Sequence, residues 1–173
     1  PVAGGDRDGA DDAGHPLLMS TRLKAGDPAP DFAAPATDGS VLRLADFRGR
    51  KLVLYFYPMD DTPGCTKQAC SLRDSNAEIA AKGAAILGVS AQGPESHQRF
   101  TEKFSLNFPL LADTDLAVAK AYGVAGSGLG GLLRSVVGVS ERVTFIIDEK
   151  GRISHVIDDP NCPDHGAEVL AAL

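Results

Sequence analysis

The chain predicts an α/β domain in which helices cover both faces of a central sheet. Three observations predict it: a wholly apolar run at 52–57, strand-like and helix-like stretches that alternate after it, and a pair of strands that closes the pattern near the C-terminus. The 173 residues amount to one domain, because no second hydrophobic pattern restarts after a linker and no internal repeat is present. An apolar share of 43% supplies a sizeable core.

The elements follow in order. Pro1 to Gly14 is rich in Gly, Ala and Asp and lacks helical or strand periodicity, so residues 1–23 read as a disordered tail and 24–173 as the domain. Met19 would serve as a native start, which makes the residues before it an upstream extension or an artificial leader. A mature chain left by signal cleavage is the other reading, so a cytoplasmic location is expected, with export as its alternative. Residues 32–44 hold an Asp38-Gly39 turn signal between two short strand-like pieces, a hairpin pattern. The run Leu52-Val53-Leu54-Tyr55-Phe56-Tyr57 has no polar face and reads as a central strand covered on both sides. A helix over 63–82 ends at Gly83, a favourable residue just past a helix C-terminus. Residues 85–89 read as strand and 94–106 as helix, with Phe100 and Phe104 on one face. Asp113 caps a helix reaching Tyr122-Gly123. Residues 143–148 and 153–157 form a second strand pair, and 164–173 the last helix.

Charge and cysteine content exclude several classes of function. A formal charge of −6 disfavours nucleic acid or an anionic membrane as partner, since both require basic patches. Three cysteines are too few and too irregular for a secreted disulfide scaffold. No apolar run approaches the ~20 residues that span a bilayer.

Chemistry concentrates where the central strand gives way to the helix, in Pro58-Met59-Asp60-Asp61-Thr62-Pro63-Gly64-Cys65-Thr66-Lys67-Gln68-Ala69-Cys70. Thr62 suits the N-cap and Pro63 the first helical position, which puts Cys65 in the first turn. There the unpaired amides and the positive end of the helix dipole stabilise an anion and favour a thiolate. Cys70 is five positions on. In an intact helix that spacing holds the Cα atoms roughly 8.7 Å apart on faces about 140° apart, whereas a disulfide needs them within about 7 Å. Either the pair never forms a disulfide, or this turn unwinds during the working cycle. The plain alternative is that both are small apolar fillers of a helix.

The segment resembles the active site of the peroxiredoxins, specifically the bacterioferritin-comigratory-protein or Q-type class. That family pattern is a proline, three residues, Thr or Ser, two residues and the peroxide-reducing cysteine, matched here by Pro58, Thr62 and Cys65. A resolving cysteine five residues later, here Cys70, is typical of the class. The resemblance runs from about Lys24 to Leu173 and includes Gly26-Asp27-Pro28-Ala29-Pro30-Asp31-Phe32, Ser96-His97-Gln98-Arg99-Phe100, Phe108-Pro109-Leu110-Leu111-Ala112-Asp113 and Arg142-Val143-Thr144-Phe145-Ile146-Ile147-Asp148. It implies an α/β thioredoxin-like fold: a central mixed β-sheet with helices on both faces and an N-terminal β-hairpin. It further implies a thiol-dependent peroxidase, acting in antioxidant defence on hydrogen peroxide and organic hydroperoxides, with no metal or cofactor. Cys65 would become a sulfenic acid, Cys70 would convert it to a disulfide, and thioredoxin or a similar dithiol would reopen that. By the same resemblance Arg142 is the cation at the peroxide, Thr62 a hydrogen-bond donor to it, and Pro58 a shield against water. A monomer is expected.

Several residues carry less. Cys162 reads as an incidental loop thiol, with a second resolving thiol as the rival reading. His15 lies in the tail, His97 on a helix, His155 in a strand and His165 at a helix start, a spacing that makes no metal cluster. His97 reads as a structural hydrogen-bonder, and Asp60-Asp61 as solvated loop charge. The stretch 125–140 departs from the family's charged and aromatic pattern. Its Gly, Leu and Val residues suit an apolar wall near the site, a subunit contact, or a loop folded onto its own domain. The competing function is a thioredoxin-like copper metallochaperone. Its relatives use a Cys-x-x-x-Cys spacing that keeps both sulfurs nearly on one helical face, which five residues do not. A thiol-disulfide exchange protein would show Cys-x-x-Cys, absent here.

Overall fold

A computed structural model describes residues 23–125 and 140–173. The expectations for the tail, apart from Leu23, and for 126–139 lie outside the described residues.

Strands β1 (Ala33–Pro35) and β2 (Val41–Arg43) pair antiparallel as the expected hairpin. Its turn is built by Asp38, whose carboxylate accepts hydrogen bonds from the Ser40 backbone N–H at 2.9 Å and hydroxyl at 2.6 Å, while Gly39 takes φ +86°. The main elements follow: β3 (Lys51–Phe56), α1 (Pro63–Ala81), β4 (Ala84–Ser90), α2 (Pro94–Phe104), β5 (Leu110–Ala112), α3 (Ala117–Ala121), β6 (Val143–Ile147), β7 (Ile153–Ile157) and α4 (His165–Ala172). The sheet order is β5-β4-β3-β6-β7. β3, β4 and β5 run parallel, β6 pairs antiparallel with β3, and β7 pairs antiparallel with β6 and so runs in the direction of β3. The sheet is therefore mixed.

Strand β3 is central and buried on both sides, as its unbroken apolar run requires. Leu52, Leu54 and Phe56 face a core closed by the N-terminal segment and α3, including Phe32 and Tyr122. Val53, Tyr55 and Tyr57 face the other core, closed by α1, α2 and α4 through Leu72, Phe100 and Val169. Leu23 packs against the first core.

Local differences have identifiable causes. β5 is three residues long, too short to show a period of two, and exists because it pairs with β4. α2 stops at Phe104 instead of 106, because Ser105 turns left-handed at φ 51° and redirects Leu106 into the core. α3 starts at Ala117 rather than directly after Asp113, since Leu116 intervenes at φ 59°. Asp113 still caps it, its carboxylate accepting from the Val118 and Ala119 N–H groups at 3.0 and 2.9 Å. A 3-10 turn at Cys162–Asp164 precedes α4.

α4 lies tight on α1 at Gly166, whose N–H donates to the Ser71 hydroxyl at 2.9 Å. A Cβ there would meet the Ser71 carbonyl oxygen at 2.7 Å as well as the Ser75 side chain. Because one obstacle is backbone, the helices would have to separate. Gly166→Ala should therefore lower stability by about 1–3 kcal/mol, read as a drop in the denaturant midpoint. An unchanged midpoint would show that this contact yields freely.

Candidate active site

The end of β3 delivers Tyr57 and half-buried Pro58 to a short loop that leads into α1. Asp61 turns this loop at φ 59°, Thr62 occupies the extended N-cap position, and Pro63 begins the helix. Cys65 lands in the first turn, as expected, and only 1% of it is exposed. Its sulfur lies near the positive end of a 19-residue helix.

A second source of positive charge comes from far along the chain. β6 pairs antiparallel with β3 in the register Phe56↔Val143, so Arg142, just ahead of β6, arrives beside the end of β3. Ser140 reinforces this by donating its hydroxyl to the Tyr57 carbonyl at 3.1 Å. From there the Arg142 guanidinium donates through Nη2 to Cys65 Sγ at 3.2 Å and through Nη1 to Gln68 Oε1 at 2.6 Å. Gly64 leaves the room: a Cβ there would stand 3.3 Å from Arg142 Nη2.

Two buried donors beside this contact have no hydrogen-bond partner, Gln68 Nε2 and the Tyr55 hydroxyl. Burial, and after it the nearness of Cys65, pushes the Tyr55 phenol well up, so it keeps its proton. Neither residue was singled out by sequence reasoning. For Gln68 the signal was available, since it is three positions after Cys65 and shares its helix face.

Thr62 sits where expected, but its hydroxyl does not cap the helix. It donates back to the Met59 carbonyl at 3.2 Å, a carbonyl that the turn at Asp61 brings within reach. Cys70 also lies on α1, partly exposed, and both cysteines are free thiols. With α1 intact the five-residue spacing keeps them apart.

Asp60 corrects the expectation of solvated loop charge. Its carboxylate is buried and accepts from the Tyr57 hydroxyl at 2.6 Å and the Ser96 hydroxyl at 2.8 Å, and it pairs with His97 Nδ1 at 2.7 Å. Its N–H donates to Gln92 Oε1 at 2.6 Å. Burial opposes this charge, but the bonds from His97, Tyr57 and Ser96 outweigh it and hold the carboxyl below its usual range. His97 is the structural hydrogen-bonder expected, with Nε2 on the Leu111 carbonyl at 2.9 Å. The network ties the loop before Cys65 to the start of α2.

His165 is buried behind Arg142. Its Nδ1 faces Glu168 Oε1 at 3.0 Å and its Nε2 faces the Thr144 hydroxyl at 2.8 Å, which satisfies a neutral ring that donates to Glu168 and accepts from Thr144. Cys162 is half-buried on the turn packed against α1, and burial pushes its thiol up. Among the described residues no three His, Cys, Asp or Glu side chains converge into a metal-binding group. No helix among them is long and apolar enough to cross a membrane.

A thioredoxin-like sheet carrying a buried helix-start cysteine under an arginine defines a class of thiol-based redox proteins, and the comparisons narrow it. The chain belongs to the AhpC/TSA family, whose model matches residues 25–156. It is 44% identical over 152 residues to Peroxiredoxin Bcp of Escherichia coli, covering 86% of this chain and 94% of that one. Among solved structures it resembles Peroxidoxin BcpB of Mycobacterium tuberculosis, with TM-score 0.76, 34% identity, and coverage of 87% and 96% of the two chains. It also resembles the bacterioferritin comigratory protein of Xanthomonas campestris, studied for alkyl peroxide reduction, with TM-score 0.76, 31% identity, and coverage of 86% and 96%. The protein is accordingly a thiol-dependent peroxidase with the thioredoxin-like fold.

The His165 site sets a pH dependence of stability. Burial disfavours its charged form and lowers its pKa in the folded protein, despite the Glu168 contact. As the pH falls below about 6.5 the unfolded histidine takes up a proton while the folded one does not. The unfolded state then binds more protons and stability falls with acid. The denaturant midpoint should drop between about pH 7.5 and 5.5, and less steeply in His165→Gln. Equal slopes for the two proteins would remove His165 as the source.

Proposed function

We propose that Cys65 is the peroxide-reducing thiol of this peroxidase and Cys70 its resolving partner, a reading carried by the Arg142 guanidinium at 3.2 Å from Cys65 Sγ. The Cys65 thiolate attacks the terminal peroxide oxygen, the O–O bond breaks, and water or an alcohol leaves, with a sulfenic acid remaining on sulfur. Negative charge develops on the leaving oxygen in this step. A guanidinium already held by Gln68 stabilises that charge without reorganising. Thr62, freed from Met59 by rotation of its side chain, supplies a further donor to the peroxide. Pro58, half-buried at the loop, limits water.

Cys70 then attacks the Cys65 sulfur and expels hydroxide as water, forming a disulfide. An external dithiol, thioredoxin by family expectation, reopens it. Both hydrogen peroxide and organic hydroperoxides are proposed substrates, and the X. campestris relative's alkyl peroxide reduction supports the second. The protein acts as a monomer in a reducing cytoplasm, where such dithiols are plentiful.

Cys65→Ser should lose essentially all peroxidase activity and keep its fold, and Arg142→Ala should slow peroxide attack by about 10²-fold or more. Near-normal turnover in either variant would take that residue out of the site.

Disulfide formation requires α1 to open between residues 62 and 72, because the intact helix holds the two Cα atoms beyond bonding range. Amides in that segment should exchange faster in peroxide-treated than in reduced protein. Equal protection, with the 65–70 disulfide verified by mass spectrometry, would contradict the required opening.

A further inference from the structure

We propose that the buried Asp60–His97 pair is a positioning device for the peroxide-reducing step, fixing the loop from which Thr62 and Cys65 are set beneath Arg142. The inference rests on the role given to Cys65 above. Neither residue is asked to touch the thiol or the peroxide.

The loop has little else to hold it. Pro58 to Thr62 forms no helix or strand, Asp61 turns it left-handed at φ 59°, and Met59 is 41% exposed. Its two acids differ in what they can anchor. Asp61 pairs with Lys103 at 2.7 Å, but the two side chains are 47% and 59% exposed, and such a pair holds weakly. The Asp60 side chain is 3% exposed and that of His97 is fully buried.

Asp60 is tied to three elements of the scaffold. Its carboxylate accepts from Tyr57 at the end of β3 (2.6 Å) and from Ser96 of α2 (2.8 Å), and it faces His97 Nδ1 of α2 at 2.7 Å. The far side of the His97 ring reaches β5, with Nε2 2.9 Å from the Leu111 carbonyl. Both atoms that face this ring are acceptors, a carboxylate and a carbonyl, so the ring meets both by donating from each nitrogen. An amide in its place could donate to one only and would turn its own oxygen toward the other.

The two steps of the cycle make opposite demands on this anchor. Attack on peroxide needs the sulfur held in place, because a small displacement of a reacting group is costly. Disulfide formation needs α1 to leave that geometry. An anchor two residues before Thr62 and five before Cys65 therefore serves attack and does not serve resolution, a preference that a pair acting only on overall stability would lack.

The test times the two steps separately. Sulfenic acid formation on Cys65 with one equivalent of hydrogen peroxide is followed by dimedone trapping in a Cys70→Ser, Cys162→Ser chain. Asp60→Asn should slow it about 10-fold, and His97→Gln should slow it comparably. Tyr57→Phe, which keeps the ring and removes one bond to Asp60, should slow it roughly 3-fold. Ile153→Val loosens the opposite core without touching the loop and should leave the rate at that of the parent. Disulfide formation, timed at high peroxide in chains that keep Cys65 and Cys70, should be at least as fast in Asp60→Asn and Tyr57→Phe as in the parent. Unchanged attack in both variants would overturn the proposal. Equal slowing of attack and disulfide formation would do so too, as would a loss from Ile153→Val as large as that from Asp60→Asn, since either makes the pair a general stabiliser. Amide exchange separates the anchor from the reading on which it rests: in reduced Asp60→Asn protein the amides within 61–66 should exchange about 10-fold faster than in the parent. Equal protection would overturn the anchor whichever thiol peroxide attacks. A parent that forms no sulfenic acid on Cys65 while the exchange difference holds would overturn the role of Cys65, and with it any bearing of the anchor on peroxide.

Discussion

The antiparallel register of β6 on β3 is the constraint on which the rest of the site depends. It places Arg142 beside the strand end from which the loop to α1 departs, and so turns a residue 77 positions away in the chain into the immediate neighbour of Cys65. Gln68 and Gly64 complete the contact from the helix side, one by accepting from the guanidinium and the other by having no side chain in its way. Peroxide reduction needs positive charge at two places, on the thiolate and on the departing oxygen. A planar guanidinium with several donors can serve both, where a single ammonium could not hold the same fork.

Around that contact the protein has two anchored parts and, between them, the stretch of α1 that carries both cysteines. The loop before Cys65 is anchored to α2 by the buried Asp60 carboxylate and its three side-chain partners. α1 beyond Ser71 is anchored by α4 at Gly166 and by the Arg73–Phe104 and Asn76–Asn107 bonds. Between the anchors Gly64, Thr66 and Lys67 give up little packing on leaving the helix, whereas Cys65, Gln68 and Ala69 are buried and must be released. A motion that joined the two thiols would be confined to this stretch, and the sheet need not move.

The buried polar groups divide by purpose. His165 is neutral and satisfied on both ring nitrogens, and stiffens the region behind Arg142. The Tyr55 hydroxyl and Gln68 Nε2 are unsatisfied in the reduced enzyme. Such groups are costly unless something else meets them, and both lie in the core that contains Cys65 or on its helix face.

Much of this was legible in the chain alone because the signals are local. Thr62-Pro63 marks a helix start and Gly83 a helix end within one turn of the residues involved. Asp38-Gly39 makes its own turn, and the spacing of Cys65 and Cys70 on a helix states that the two can bond only if the turn unwinds. Resemblance added the roles of Cys65, Cys70 and Arg142. Tertiary structure alone decided the rest, since it depends on residues distant in sequence. β5 exists through its pairing with β4 and a bridge from Leu111 to Ala36, and the Thr62 hydroxyl follows a carbonyl supplied by the turn at Asp61. Asp60 is buried because Tyr57, Ser96 and His97 surround it, although a pair of adjacent acids in a polar loop reads as solvent-facing. Arg142 meets Cys65 because strand pairing sets that register, and no periodicity within a single segment encodes which strands will be neighbours.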